Sequence, residues 1–335
     1  MEEIEKKEQN RIFGALLQIT RYREFALFLV LAIGIIIVNF ITPAFLTAIN
    51  LRAMAMGFSL KGIVALGMTV VLISGGLDLS VGSVFGVTGS VTAILFARFG
   101  YPIWGAAAIG LLVGLSFGFI NGLMIGKVGI NPLVITLGTM IVARGLGMFI
   151  TEGRIVSIRG HSNGFPFLGS GIIFGLPFMF VLFITLAVVF IFIFKKSLWM
   201  RNIFYTGSNF KAADYSGINT STYKMSVYVL SAFLAAVCGL ISLSRFSVSV
   251  TTAGQGMEID AIAAVVIGGA SLSGGEGSVI GTVLGIILLS FISNMLVLLK
   301  TSVYLQSMIS GIILLLVVTV DFYNKKRLES GLTAK

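Results

Sequence analysis

The chain has 335 residues, 57% hydrophobic and 11% charged, with a formal net charge of +10 and a mean hydropathy of +1.04. Soluble domains carry about 25% charged residues, so an ordinary soluble fold is excluded, and so few cations cannot build the continuous basic face of a nucleic-acid-binding protein. One cysteine (Cys238) and one histidine (His161) exclude a disulfide framework, a structural zinc site and a His-paired thiol.

Residues 1–24 mix both signs of charge, and no small-residue cleavage pattern follows the apolar run that begins at Phe25. This reads as a cytoplasmic N-terminal segment, not a cleaved signal. A spanning helix needs about 20 apolar residues. Apolar segments follow near 25–42, 57–73, 82–97, 103–126, 131–150, 177–194, 223–244, 259–272, 278–299 and 302–320. The third and eighth are short enough to be tilted, broken or re-entrant. Pro43, Pro102, Pro132, Pro166 and Pro177 all fall between segments or at first turns, where a missing N–H is harmless. The predicted fold is all-α: a polytopic membrane domain over 25–320 with about ten transmembrane helices, both termini cytoplasmic, and a cytoplasmic tail at 321–335.

Lys and Arg beside spans stay preferentially in the cytoplasm. With the N-terminus inside, 15 cations fall inside and 6 outside, leaving Lys61 and Arg144 within spans. The largest cytoplasmic loop is then 195–222 and the longest external one 151–176.

The fourth segment places Gly110, Gly114, Gly118, Gly122 and Gly126 on one helical stripe, a close-packing signal in lipid. The stripe suits packing within one subunit, a dimer seam or a sliding surface. GSVxG occurs at 82–86 and at 277–281, a hint of internal duplication of the kind transporters use.

Ionisable groups within spans are functional-site candidates. Asp78 and Ser80 lie in a polar, Gly-rich break and suit either a helix N-cap or the mouth of a pathway. Glu258 and Asp260 carry the same ambiguity at the start of the eighth segment, where the helix dipole favours anions. Arg144 can snorkel toward the outer surface or meet substrate. Asn121 and Asn294 suit interhelical hydrogen bonds. GLMIGK at 122–127 is too short between its glycines for a phosphate-binding loop and follows no strand. No nucleophile and base pair up, so the chain is not expected to be an enzyme or to hold a metal or cofactor.

The polar breaks and the large loop together resemble the permease subunit of bacterial ribose/xylose/arabinose-type ABC sugar importers. PAFLTAINL (43–51), ALGMTVVLISGGLDLSVGS (65–83), ITLGTM (135–140), ARG (143–145) and EIDAIAAVVIGGASLSGGEGSVIGTVLG (258–285) are similar to its signature blocks. GxNxxAAxxSGI appears as Gly207, Asn209, Ala212, Ala213, Ser216, Gly217 and Ile218, resembling the cytoplasmic coupling loop. Met200 and Leu133 depart from the usual Gly and Phe.

The resemblance implies a second permease copy, a cytoplasmic ABC ATPase that carries ATP and Mg, an extracytoplasmic sugar-binding protein, and residence in the bacterial inner membrane among its lipids. No nucleic-acid partner is implied. It implies that Arg201, Gly207, Asn209, Ala212, Ala213, Ser216 and Gly217 contact the ATPase, Ala212 and Ala213 permitting close approach. A solvated loop obeying the positive-inside rule is the alternative. Pathway or gate candidates are Asp78, Ser80, Asn121, Thr136, Arg144, Asp260 and Asn294. Relatives with these signatures carry pentoses, hexoses, autoinducer-type furanosyl molecules or nucleosides. An ion-coupled secondary transporter, the rival class, needs ion-coordinating groups near the midplane, whereas Asp78, Glu258, Asp260 and Glu276 read as lying near span ends.

Overall fold

A computed structural model describes residues 23–160, 164–302 and scattered positions from 304 to 319. His161, the tail at 321–335 and nearly all of the 1–24 segment lie outside the described residues, as does part of the tenth apolar segment.

Helix starts are set by short polar side chains and prolines. After α1 (Arg23–Ile41), Pro43–Leu46 forms a 3-10 turn, and the Thr47 hydroxyl accepts from Asn50 N–H to cap α2 (Ala48–Ile73). α3 (Val81–Ala97) follows a non-helical break, and α4 (Ile103–Leu123) starts after Pro102. α4 widens into a π-helical turn at Met124–Val128 and stops at Gly129, whose φ of 81° suits only glycine. Asn131 caps α5 (Pro132–Thr151) by accepting from Leu133 N–H.

In the loop predicted to be external, β1 (Val156–Ser157), the short α6 (Phe167–Ser170) and the hairpin β2–β3 (Ile172–Ile173, Leu176–Pro177) lead into α7 (Phe178–Lys196). Ser197 then caps α8 (Leu198–Ser208), Asn209 caps α9 (Phe210–Tyr215) and Asn219 caps α10 (Thr220–Phe246). β4 (Val248–Ser249) pairs antiparallel with β1, tying the 151–176 loop to the end of α10. α11 (Met257–Ile267) and α12 (Val279–Leu298) complete the described elements, Ser278 capping α12.

Among the described residues seven helices are long and apolar enough to cross a membrane: α1, α2, α4 with its π turn, α5, α7, α10 and α12. The predicted third and eighth segments are α3, with 17 residues, and α11, with 11. At 1.5 Å per residue they reach about 26 and 17 Å, less than the roughly 30 Å hydrocarbon core. Both are too short to cross that core alone, and each adjoins a non-helical stretch, 74–80 for α3 and 268–278 for α11, which makes them broken helices. The two GSVxG runs sit at equivalent places, opening α3 and α12 just after those stretches.

α10 is the centre, packed on α4, α3 and α2, while α11 and α12 pack on each other and on α2. The glycine stripe of α4 faces inward: a Cβ on Gly110 would strike Thr92, on Gly114 Thr88 and Ala236, on Gly118 Ala232, on Gly122 Met225, and on Gly126 the Ser221 carbonyl. The stripe therefore packs α4 on α10 and α3 within one chain.

The predicted topology puts α9 in the cytoplasm. A cysteine at position 210, on a Cys238→Ser background, is expected to resist an impermeant thiol reagent in intact cells and react after permeabilisation. Labelling in intact cells would invert the topology.

Candidate translocation and coupling site

The break between α2 and α3 folds into the protein interior. Asp78 is fully buried, and its carboxylate accepts from Ser80 N–H (3.0 Å), the Ser80 hydroxyl (2.6 Å) and the Ser231 hydroxyl of α10 (2.8 Å). The Asn121 amide of α4 donates to Ser80 Oγ at 3.0 Å, and Thr139 of α5 donates to Asn121 Oδ1 at 2.6 Å. One polar chain thus ties three helices, α4, α5 and α10, to the non-helical turn. In a low-dielectric interior every member of such a chain must be satisfied, and these hydrogen bonds hold the turn in place of secondary structure.

Three sequence candidates, Asp78, Ser80 and Asn121, meet here. Thr136 is buried beside them, donating to the Pro132 carbonyl (2.8 Å) and to that of Leu77 (3.4 Å). Ser231 and Thr139 were not foreseen. Thr139 lies in the ITLGTM block, and Ser231 is a lone hydroxyl in an apolar stretch. Ser80 occupies the N-cap position of α3 without a side-chain capping bond, so capping by its hydroxyl is not what holds it, and Asp78 is buried in this chain.

These groups are deep. Ser231 is 11 residues into α10 and Thr139 7 residues into α5, placing the network about 16 and 10 Å inside those helix starts. Asp78 therefore does not sit at the end of the bundle: it lies at the start of a short helix, alongside the interior turns of α5 and α10.

A second polar cluster lies toward the outside. Arg144 of α5 is half-exposed and donates from one Nη to the carbonyls of Ala253 (2.9 Å) and Thr251 (3.2 Å), in the turn before α11. It points inward to those free carbonyls and does not snorkel outward. Glu258 is buried in the first turn of α11; one oxygen accepts from Gly256 N–H (3.2 Å), and the other has no hydrogen-bond partner among the described residues.

Asp260, two residues on, pairs with Lys61 of α2 at 2.6 Å. Asn294 of α12 exchanges reciprocal amide hydrogen bonds with Asn50 of α2, 2.9 and 3.0 Å. Asn294 is therefore an interhelical tie.

The 195–222 loop divides in two. α8 packs on the bundle, burying Met200, Ile203 and Thr206. A Cβ on Gly207 would collide with the Ile73 carbonyl at the end of α2, and Gly275 N–H donates to that same carbonyl at 2.9 Å. A Cβ on Gly274 would stand 2.8 Å from the Gly207 carbonyl and from Gly75 Cα, so both non-helical turns and the end of α8 meet backbone to backbone. α9 stands clear, with Ala212 and Ser216 exposed, Tyr215 88% exposed and Ala213 buried. Arg201 is exposed on α8, and Gly217 takes a φ of 82° at the exit of α9. Tyr205, Ser208, Asn209, Ala212, Ala213, Ser216 and Ile218 line a groove of about 290 Å³.

Residues 50–318 match the family described as branched-chain amino acid transport system / permease component. The chain is 38% identical to the ribose import permease RbsC of Haemophilus influenzae over 88% of its length and 92% of that protein's. It is 35% identical to RbsC of Bacillus subtilis (88% and 91%) and 35% identical to the L-arabinose transport system permease AraH of Escherichia coli (90% and 92%). No solved structure matches it. With the family spanning most of the sequence and a helical membrane bundle around a polar core, the chain belongs to this permease family beside the ribose and arabinose permeases, as a multi-pass transport subunit of an ABC importer in the bacterial inner membrane.

Proposed function

We propose that the chain translocates a monosaccharide, ribose or a close relative, delivered by an extracytoplasmic binding protein and driven by an ATPase on a separate cytoplasmic subunit, with a second permease copy completing the path. ATP and Mg belong to that ATPase in this reading. The observation that carries it is α9: a short, capped helix held off the bundle on a basic cytoplasmic loop, beside a groove of its own. The sugar is supported by relatives named for ribose and arabinose at 35–38% identity over nearly the whole chain.

Such a permease needs differential affinity between two access states, supplied by the partner. The Asp78 network and the Arg144 clamp then position the broken helices, and Asp260 lies in the wall of the path. Reconstitution with the cognate ATPase and binding protein tests the function. ATP-dependent uptake of labelled ribose, indifferent to ion gradients, is expected. Gradient-driven uptake without ATP would overturn it, and uptake of a nucleoside or furanosyl signal in place of ribose would reassign the substrate.

Docking on α9 is tested by Ala212→Glu and Tyr215→Ala, which alter only exposed positions. Both are expected to reduce copurification of the ATPase while leaving insertion intact, since an unpaired charge in an interface core is strongly disfavoured. Enlarging Ala213 is a poorer test, because that side chain is buried against the chain itself. Full ATPase recovery with both variants would remove α9 from the contact.

A further inference from the structure

We propose that Lys61 and Asp260 form a charged station on the wall of the water-filled substrate path, facing a second copy of this chain across it. This rests on the proposed sugar-import reading and adds the residues that line its route.

Lys61 is the fourteenth of 26 residues in α2, about 20 Å from either end and so near the membrane midplane. Its side chain is 38% exposed and that of Asp260 26%. An ionic pair half-open to lipid at that depth is strongly disfavoured, so intramembrane charges face cavities or protein.

The surrounding surface is unlike the lipid-facing ones. Among the described residues of α1 and α5 every exposed position is apolar: Phe28, Ile36, Phe40, Val134, Ile141 and Phe149 are large, Ala26, Gly138 and Gly145 small, and none carries a polar side chain. Outward from Lys61, the same face of α2 carries Gly57 and Ala53, both exposed, and a Cβ on Gly57 would meet nothing. Thr252 and Gln255, in the turn before α11, are exposed as well. From Gly62 to Ser74 every residue of the chain is buried, so the exposed row of α2, Ile49, Ala53 and Gly57, ends on the ion pair.

The pair's hydrogen bonding favours water over a dry seam. Lys61 Nζ has three donors and Asp260 two acceptor oxygens, and among the described residues one bond, Nζ to Oδ2, joins them. Sealed inside protein, the remaining groups would be unsatisfied. Facing water they are hydrated, and facing a passing sugar they both donate to and accept from adjacent hydroxyls. The pair is neutral as a unit, which suits a neutral polyhydroxylated solute and offers no net charge to trap an ion.

The test uses the assembled importer in proteoliposomes on a Cys238→Ser background, with a small charged thiol reagent on both faces. Gly57→Cys is expected to react about tenfold faster than Ile141→Cys on the lipid-facing side of α5, because a thiol ionises and reacts only where water reaches it. Equal rates in every nucleotide state would overturn the proposal. So would oxidative cross-linking of Gly57→Cys between copies without reagent labelling, which marks a dry seam. Separately, the double variant Lys61→Gln with Asp260→Asn keeps a hydrogen bond between α2 and α11. It is expected to lower maximal ribose uptake about fivefold with unchanged ATPase recovery, a loss confined to turnover. Unchanged uptake would make the pair only a tie between helices. If the import reading itself fails, unmodified protein shows no ATP-driven ribose uptake, while the labelling contrast still reports on water at Gly57.

Discussion

Asp78→Leu is expected to be among the most damaging single substitutions in this chain. Leucine leaves the Ser80 N–H and two hydroxyl protons, those of Ser80 and Ser231, without their acceptor in a fully buried site. Each orphaned group costs about 1–3 kcal/mol, so the total is about 3 kcal/mol or more. The 74–80 turn has no ladder or helix to fall back on, and loss of monodisperse protein in detergent is the expected readout. Asp78→Asn is expected to retain most of the stability: one oxygen still accepts from Ser80, and the Ser231 hydroxyl, donor and acceptor alike, can turn to accept from the new amide. Thermal unfolding of the three proteins checks this. Wild-type stability in the leucine variant would show that the carboxylate does not hold the turn.

Gly118→Leu is expected to force α4 from α10. A side chain there overlaps Ala232, and its Cβ would stand 2.8 Å from the Tyr228 carbonyl, which belongs to a backbone and cannot swing aside. Overpacking commonly costs about 1–3 kcal/mol, and the upper end applies because Gly114 and Gly122 hold the same two helices in contact on either side. Gly105→Leu, on the same helix where a Cβ meets nothing, is the control and is expected to be neutral. Equal melting temperatures for the two variants would remove the stripe from the packing of the bundle.

The parts legible in the sequence are those written in local chemistry. Length and apolarity located the spans, the prolines marked their starts, and spacing by four put five glycines on one inward face. Depth was not legible. Asp78 and Asp260 read as span-end residues because a helix end resembles a membrane end in one dimension, and only the neighbours Ser231 and Thr139 reveal how far inside the turn lies. Partnerships were hidden for the same reason. Lys61 and Asp260 are 199 residues apart, and Arg144 is drawn inward by backbone carbonyls, which no side-chain pattern records.

The glycine junction beneath the bundle has a mechanical consequence. Where Gly207 lies against the Ile73 carbonyl and Gly274 against Gly207 and Gly75, the glycines put no side chain between the backbones to flex or change rotamer. Close-packed main chain is stiff and transmits strain. Asn209, the cap shared by the end of α8 and the start of α9, is only two residues from that joint. A torque applied to the exposed α9 is therefore expected to reach both non-helical turns together, as through a bolted bracket instead of a spring.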